Sequence, residues 1–311
     1  MLRYLYSRLA GALLVVIGVT AVVFALSRVI PGDPVEIMAG ESATPMERQA
    51  MAEAMGLDRP LLAQWWLYLR RLAVLDLGAS LHSGRRVSDL LADSIPATLL
   101  LAAATLAFAA LLSLALGVLA ALKRGSAWDR GATACALLGL SLPNFWLGPL
   151  LILVFAYRLG WFPVGGMGGP GALVLPALTL GTAMVALQMR MVRGSLIDVL
   201  ETDYVRAARA RGLPPWRVVL GHALSNALLP AITIVGLHTG ALLTGAVVTE
   251  HIFSWPGVGQ LMFEAIRSRD YPVIQGCVLL IGTVYVGINL LTDLVYCALD
   301  PRIRLEAEER P

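Results

Sequence analysis

The chain of 311 residues is too apolar for a soluble globular protein. Hydrophobic residues make up 58% of it, charged residues only 14%, and the mean hydropathy is +0.74, whereas soluble domains carry about 25% charged residues. The net charge of +3 is too small and too scattered for a nucleic-acid interface. The three cysteines show no CxxC spacing. Composition therefore excludes a soluble domain, a nucleic-acid-binding protein and a cysteine-based zinc site, and favours a membrane protein.

Six apolar runs are each long enough to cross a bilayer as a helix. The first run follows Arg3 and Arg8 and lacks a small-residue cleavage site, so we interpret it as an uncleaved anchor. The predicted spans are residues 9–30, 95–122, 131–157, 172–190, 228–248 and 276–298. They predict an all-α membrane protein with six transmembrane helices.

Basic residues are concentrated on one side of these spans. The N-terminus and the connections 123–130 and 190–217 are rich in arginine, whereas the short loops on the other side hold few basic residues. The positive-inside rule therefore predicts that both termini are cytoplasmic. The predicted organisation is an anchor helix at 1–30, a periplasmic helical segment at 31–94, a permease core at 95–298 with a cytoplasmic loop at 198–228, and a cytoplasmic tail at 299–311.

The segment 31–94 is predicted to be folded. Thr44 and Glu47 have the spacing of a capping box, with Pro45 at the first helical position, and Gly56 is expected to end that helix after Met55. A second amphipathic helix at 60–73 places large apolar residues on one broad face, namely Leu61, Leu62, Trp65, Trp66, Leu69 and Leu72. Its tryptophans either anchor the segment at the membrane interface or help to dock an external partner.

The basic cytoplasmic loop contains a short predicted helix at residues 204–211. It carries three outward arginines separated by alanines, and Gly212 followed by Pro214 ends it sharply. A short helix of small residues between two bends is suited to docking against another protein. A solvated basic loop without a partner is the alternative interpretation.

This stretch resembles the EAA loop of the permease subunits of ATP-binding-cassette importers, in the form found in the dipeptide, oligopeptide and nickel permease family. Ala207, Ala208 and Gly212 stand at the alanines and the glycine of that motif, and Leu229-Pro230 stands at its closing leucine-proline. The sequence departs from the general motif at two places, and both departures resemble the form of the motif in the peptide and nickel branch of the family. Tyr204-Val205-Arg206 replaces the glutamate region, and Pro230 lies 18 residues after Gly212.

The resemblance extends over nearly the whole chain as short matches in one order. They include Pro31-Gly32-Asp33-Pro34, Pro96-Ala97-Thr98-Leu99, Ser141-Leu142-Pro143-Asn144-Phe145-Trp146, Gly160-Trp161-Phe162-Pro163, Ser254-Trp255-Pro256-Gly257-Val258-Gly259 and Asp300-Pro301-Arg302-Ile303-Arg304.

The resemblance implies the type I importer permease fold and one half of a pore that carries short peptides across the bacterial inner membrane. It also implies a second homologous permease subunit, one or two cytoplasmic ATPases, and a periplasmic or lipid-anchored substrate-binding protein. The residues expected to couple to an ATPase are Tyr204, Val205, Arg206, Ala207, Ala208, Arg209, Ala210, Arg211 and Gly212. Because the chain has no GxxxxGK[ST] loop, ATP and magnesium are expected on the ATPases and no cofactor on this chain.

Polar or soft side chains inside the predicted spans are candidates for the substrate pathway, and packing or hydrogen bonding within the protein is the alternative that residue type favours. The candidates are Asn144, Met184, Gln188, His238, Asn289 and Asp293. Pro143 is expected to break the third span. Gly236 and Gly240 form a GxxxG motif, for packing either within the subunit or against a partner. The apolar outer loop at 250–276 predicts a re-entrant or interfacial helix.

Three other functions remain as alternatives. A nickel or metal-chelate permease of the same family would favour clustered ligands, yet the four histidines are scattered; a metal inside an organic chelate would need no ligands from the protein. An intramembrane enzyme would need a motif such as HExxH or GxSxG, and neither occurs. An ATP-independent transporter would leave the EAA-like loop unexplained and should show inverted repeats.

Overall fold

The computed structural model of the protein describes residues 2–29, 44–54, 58–169 and 171–299. Most of the described residues are helical, and the predicted all-α class is confirmed. The helices are α1 Leu2–Val29, α2 Pro45–Ala54, α3 Leu61–Ala73, α4 Val87–Leu122, α5 Ala127–Ser141, α6 Asn144–Leu151, α7 Val174–Leu200, α8 Asp203–Ala210, α9 Pro215–Arg217, α10 Leu224–Ala227, α11 Leu229–Ile252, α12 Val258–Ser268 and α13 Tyr271–Leu299. Two π-helical segments, Ile152–Arg158 and Val218–Ala223, continue α6 and α9.

Within the described residues, three helices are long and apolar enough to cross a bilayer. They are α4, α7 and the part of α13 from Tyr271 to Thr292. Helix α5, together with α6 and its π-helical continuation, forms a fourth candidate that is bent by 107°. A helix or a helix pair overlaps each of the six predicted spans. The total of six crossings stays a prediction.

The bend between α5 and α6 confirms the predicted break in the third span. Helix α5 ends at Ser141 and α6 begins at Asn144. Proline has no backbone N–H and clashes with a preceding helical turn, so Pro143 cannot continue α5. Its carbonyl instead accepts the N–H groups of Trp146 and Leu147, both at 3.0 Å, and so starts α6.

The chain divides into two compact units. The first comprises Met1–Thr98 and Pro256–Leu290, and the second comprises Leu99–Trp255 and Leu291–Pro311. The outer segment predicted at 31–94 and the helix predicted in the outer loop both belong to the first unit. That helix is observed as α12, which confirms its secondary structure, while its position in the membrane stays a prediction.

A buried carboxylate joins distant parts of the first unit. Asp270 accepts hydrogen bonds from the Ser80 hydroxyl at 2.5 Å and from the Leu81 backbone N–H at 3.2 Å. Next to it, the Nε2 atom of His82 lies 2.7 Å from the carbonyl oxygen of Ser268. An apolar cluster surrounds the same region, formed by Val87, Leu91, Val258, Ala265, Val273 and Cys277. The segment before α4 is therefore fixed to the end of α12.

The capping box of the outer segment is confirmed. Glu47 accepts the backbone N–H of Thr44 at 2.8 Å, and the Glu47 N–H lies 3.3 Å from the Thr44 hydroxyl. The hydrogen bonds that the Glu47 carboxylate accepts from the backbone N–H and the hydroxyl of Thr44 lower the pKa of Glu47. The predicted end of this helix at Met55 and Gly56 lies outside the described residues.

Helix α3 forms where it was predicted, but its large apolar residues do not share one environment. Leu61, Leu62 and Trp66 are exposed, whereas Trp65, Leu69 and Leu72 are half-buried. The fully buried residue is polar Gln64, whose side-chain nitrogen donates to the Arg59 carbonyl at 2.7 Å. Tyr68 stacks on Phe24 of α1, and burial raises the pKa of Tyr68 to about 12.

Helix α7 forms the centre of the second unit. Glycines allow α4 to approach it closely, because a Cβ atom on Gly117 would lie 2.8 Å from Val192 and one on Gly181 would lie 2.7 Å from Phe108. Alanine and methionine fill the contact of α4 and α5 with α7, in a cluster of Ala120, Ala136, Ala186 and Met189. A Cβ atom on Gly236 would lie 2.9 Å from Thr292, so the first glycine of the GxxxG motif packs within this chain.

Gly276→Ala is expected to destabilise the first unit by about 1–3 kcal/mol, because overpacking a tight contact carries that cost. The added methyl group would lie 2.5 Å from the Cγ1 atom of Val87, a β-branched side chain that cannot rotate away freely. Gly287→Ala in the same helix is the matched control, since nothing lies within 4 Å of its added carbon. Thermal unfolding of the purified chain in detergent measures both, and equal midpoints for the two variants would contradict this packing.

Candidate functional site: the basic loop and polar residues of the helices

The predicted loop helix is observed as α8, from Asp203 to Ala210. An aspartate in its first turn and an arginine in its last turn both complement the helix dipole. Gly212 follows with a φ of +76°, in the left-handed region where a side chain is strained, which explains why glycine ends this segment. Pro214 and Pro215 then begin the next short helical segment.

Helix α8 has one face that packs against its own chain. Val205 and Ala208 are buried in an apolar cluster with Leu196 of α7. The cluster also contains Ala121, Val218, Ala223 and Ala227. This apolar face holds α8 against the ends of α4 and α7, so displacement of α8 has a direct mechanical path to both helices.

The opposite face of α8 is exposed. It presents the remaining predicted coupling residues Tyr204, Arg206, Ala207, Arg209, Ala210, Arg211 and Gly212. The structure thus separates the nine predicted residues into seven that are exposed and two, Val205 and Ala208, that are buried. The sequence alone did not predict this separation, because positions 207, 208 and 210 are all alanine and only the fold determines which of them is buried.

A polar contact fixes the start of α8. The Asn226 amide donates to the Tyr204 hydroxyl at 2.9 Å, and that hydroxyl lies 3.5 Å from the carbonyl oxygen of His222. Both partners belong to the returning segment 218–227. Sequence reasoning missed Asn226 and His222, since their only signal is that they follow the proline bend.

Gln188 and Met184 are both buried on α7, one turn apart. Gln188 is 1% exposed, and its side-chain oxygen lies 3.1 Å from the Ser113 hydroxyl of α4. Its side-chain nitrogen has no hydrogen-bond partner among the described residues. A buried amide with an unused donor can bind a further acceptor if one enters this region.

The other predicted pathway residues are not brought to one point by the described structure. Asn144 is half-buried at the start of α6, and its amide nitrogen would lie 3.9 Å from a Cβ atom on Gly245. Asn289 is half-buried on α13. His238 and Asp293 belong to α11 and α13, but their side chains lie outside the described part of the chain.

Metal-ligating residues do not cluster in the described ranges: no group of three or more His, Cys, Asp or Glu residues there could hold a metal ion.

A mainly helical chain with several helices that are long and apolar enough to cross a bilayer has the architecture of a multi-pass membrane protein. The model of the family described as binding-protein-dependent transport system inner membrane component matches residues 113–305, and the model of its N-terminal domain matches residues 1–102. The chain therefore belongs to this family of inner-membrane permease subunits, as its motifs predicted.

Relatives of known function match the chain along nearly its whole length. The di/tripeptide transport system permease protein DppB of Pseudomonas aeruginosa is 43% identical over 333 residues, covering 98% of this chain and 99% of that protein. The dipeptide transport system permease protein DppB of Escherichia coli K12 is 40% identical over 336 residues, with the same coverage. The glutathione transport system permease protein GsiC of E. coli K12 is 40% identical over 304 residues, covering 98% and 99%.

Ala208→Asp is expected to prevent stable folding of the loop, because it places a carboxylate among Leu196, Val205 and Val218. Burying an unpaired charge in an apolar cluster costs several kcal/mol. Ala207→Asp, one position earlier on the exposed face, is expected to keep wild-type stability. The thermal midpoint and monodisperse yield of each purified variant measure the difference. Equal loss in both would contradict the assignment of the two faces.

Proposed function

We propose that this chain forms one half of the pore of an ATP-driven importer of short peptides and that α8 docks on a cytoplasmic ATPase. The observation that carries the proposal is the two-sided character of α8. Val205 and Ala208 attach it to the ends of α4 and α7, and its arginines and small alanines remain exposed. A helix attached in this way transmits a push from a partner instead of absorbing it.

The path from α8 towards the middle of the membrane is short. Leu196, which packs on Val205, lies eight residues from Gln188 on the same helix, or about 12 Å along its axis. Displacement of α8 would therefore move α7 and its buried amide together. ATP-driven closure of two ATPases would use this linkage to switch the pore between inward-facing and outward-facing states.

The proposed cargo is a short peptide. The relatives described above are permeases for dipeptides, tripeptides and glutathione, which is itself a tripeptide. The amide groups of peptides match hydrogen-bonding side chains better than metal-ligating ones. We accordingly propose Gln188, Met184, Asn144, Asn289, His238 and Asp293 as pathway residues, with Gln188 supported by its unused donor.

The remaining features of the proposal concern assembly and orientation. A second homologous permease would complete the pore, one or two ATPases would bind ATP and magnesium, and a binding protein would deliver the peptide from outside. Both termini and α8 would then be cytoplasmic, and residues 31–94 would be periplasmic. Lys123 and Arg217 support this orientation, because basic residues are enriched in cytoplasmic loops. Each of them lies over a tryptophan ring, Trp128 and Trp216 respectively, a residue type enriched at both membrane interfaces.

Ala207→Asp is expected to leave membrane insertion intact and to lower peptide uptake at least tenfold. It introduces a negative charge and a larger side chain on the exposed face between Arg206 and Arg209, where a close contact with the ATPase would form. Ala127→Asp is the matched control, since Ala127 is also an exposed alanine but lies at the start of α5. Uptake of labelled dipeptide by membrane vesicles measures both, and wild-type uptake in the Ala207 variant would refute the docking role.

Binding protein loaded with a dipeptide is expected to stimulate ATP hydrolysis by the reconstituted complex severalfold. The measurement compares binding protein loaded with dipeptides, with longer peptides or with a nickel chelate, and binding protein without ligand is the control. Stimulation by the nickel chelate alone would retain the importer mechanism but refute the peptide cargo. Failure of the chain to assemble with any ATPase would refute the central proposal.

A further inference from the structure

An ion pair with a buried carboxylate and a half-buried arginine connects α5 to α7. Asp129, in the first turn of α5, is 5% exposed, and its two carboxylate oxygens accept from Arg193 Nε at 2.6 Å and Arg193 Nη2 at 2.8 Å. The backbone N–H of Gly125 donates to one of these oxygens at 2.9 Å. A two-point arginine–carboxylate contact of this kind fixes relative orientation as well as distance.

A second, exposed ion pair lies nearby. Arg124 in the connection before α5 is 2.8 Å from Glu201, just past the end of α7. Glu201 precedes the start of α8 at Asp203 by two residues. The connection before α5 and the first turn of α5 therefore contact α7 or the residue just past its end at two points, Glu201 and Arg193, about 12 Å apart along the helix axis. Exposed pairs of long side chains contribute little to rigidity, so the pair with the buried Asp129 carboxylate is the stronger connection.

The rest of the contact between α5 and α7 is apolar and made by small residues. Ala136 packs with Ala186 and Met189, and a Cβ atom on Gly139 would lie 3.4 Å from the Thr182 carbonyl oxygen. Such surfaces fit closely, but they have no directional interaction that stops one helix from sliding along the other. The contact of Asp129 with Arg193 supplies that directionality.

We infer that Asp129 and Arg193 are a positioning pair that makes α5 follow α7 when α8 is displaced. Helix α7 receives the displacement through Leu196, and the ion pair passes it to α5 and thereby to the bent segment that begins at Asn144. Without the pair, α7 would move while α5 lagged, and ATP would be hydrolysed without complete rearrangement of the pore. This inference rests on the proposed function and extends it to residues outside the loop.

The test measures peptide transported per ATP hydrolysed by the complete complex in proteoliposomes. Asp129→Asn keeps the shape of the side chain and removes its charge, and Arg193→Lys keeps the charge and removes the two-point contact. Arg124→Ala, which removes only the exposed pair, is the control. We expect the ratio to fall at least fivefold in Asp129→Asn and Arg193→Lys and to stay within twofold of wild type in Arg124→Ala.

Two results would overturn the inference. One is a wild-type ratio in the assembled Asp129→Asn and Arg193→Lys complexes. The other is a lower yield of complex with an unchanged ratio, which would make the pair a purely structural contact. If Asp129→Asn fails to assemble, Arg193→Lys decides by itself. A failure of the proposed function differs from a failure of this inference, because the complex with the wild-type chain would then show no peptide-stimulated ATP hydrolysis.

Discussion

The close packing of α7 is the constraint on which the second unit depends. Of the most apolar 18-residue stretch of α7, 61% is buried within the protein, compared with 22% for α4 and 17% for α13. Lipid tails are as apolar as leucine, so burial of apolar area does little to associate helices in a bilayer, and close packing between small residues becomes decisive. Gly117 and Gly181 provide that close approach to α7. Helix α7 can therefore act as a rigid connection between the loop and the membrane interior.

Polar residues of α7 connect it to the helices that pack against it. Gln188 and Arg193 lie five positions apart on α7, and each contacts a different neighbouring helix, Gln188 through Ser113 of α4 and Arg193 through Asp129 of α5. Polar groups that are removed from water are retained where they are paired or functional. One of these contacts leaves a donor unused, in the region proposed for the substrate. The other joins both carboxylate oxygens of Asp129 to two nitrogens of Arg193.

The first unit depends on a different kind of contact. Asp270 binds a serine hydroxyl and a backbone N–H from a segment that lies far away in sequence, and an apolar cluster encloses the region. Hydrogen bonds to a charged group are stronger than neutral ones, and removing such a partner leaves buried donors unpaired. The segment that precedes α4 is therefore a folded element of this unit rather than a flexible connection.

Local features could be predicted from the sequence because they depend on neighbouring residues. Apolar runs predicted the helices, Pro143 predicted the break, Thr44 with Glu47 predicted the capping box, and Gly212 predicted the end of α8. The motifs also predicted the family. Only the tertiary structure placed Asp129 against Arg193, 64 positions apart, and Ser80 against Asp270, 190 positions apart. It also distinguished buried Ala208 from exposed Ala207, because burial depends on which other helices pack nearby, and no local sequence pattern contains that information.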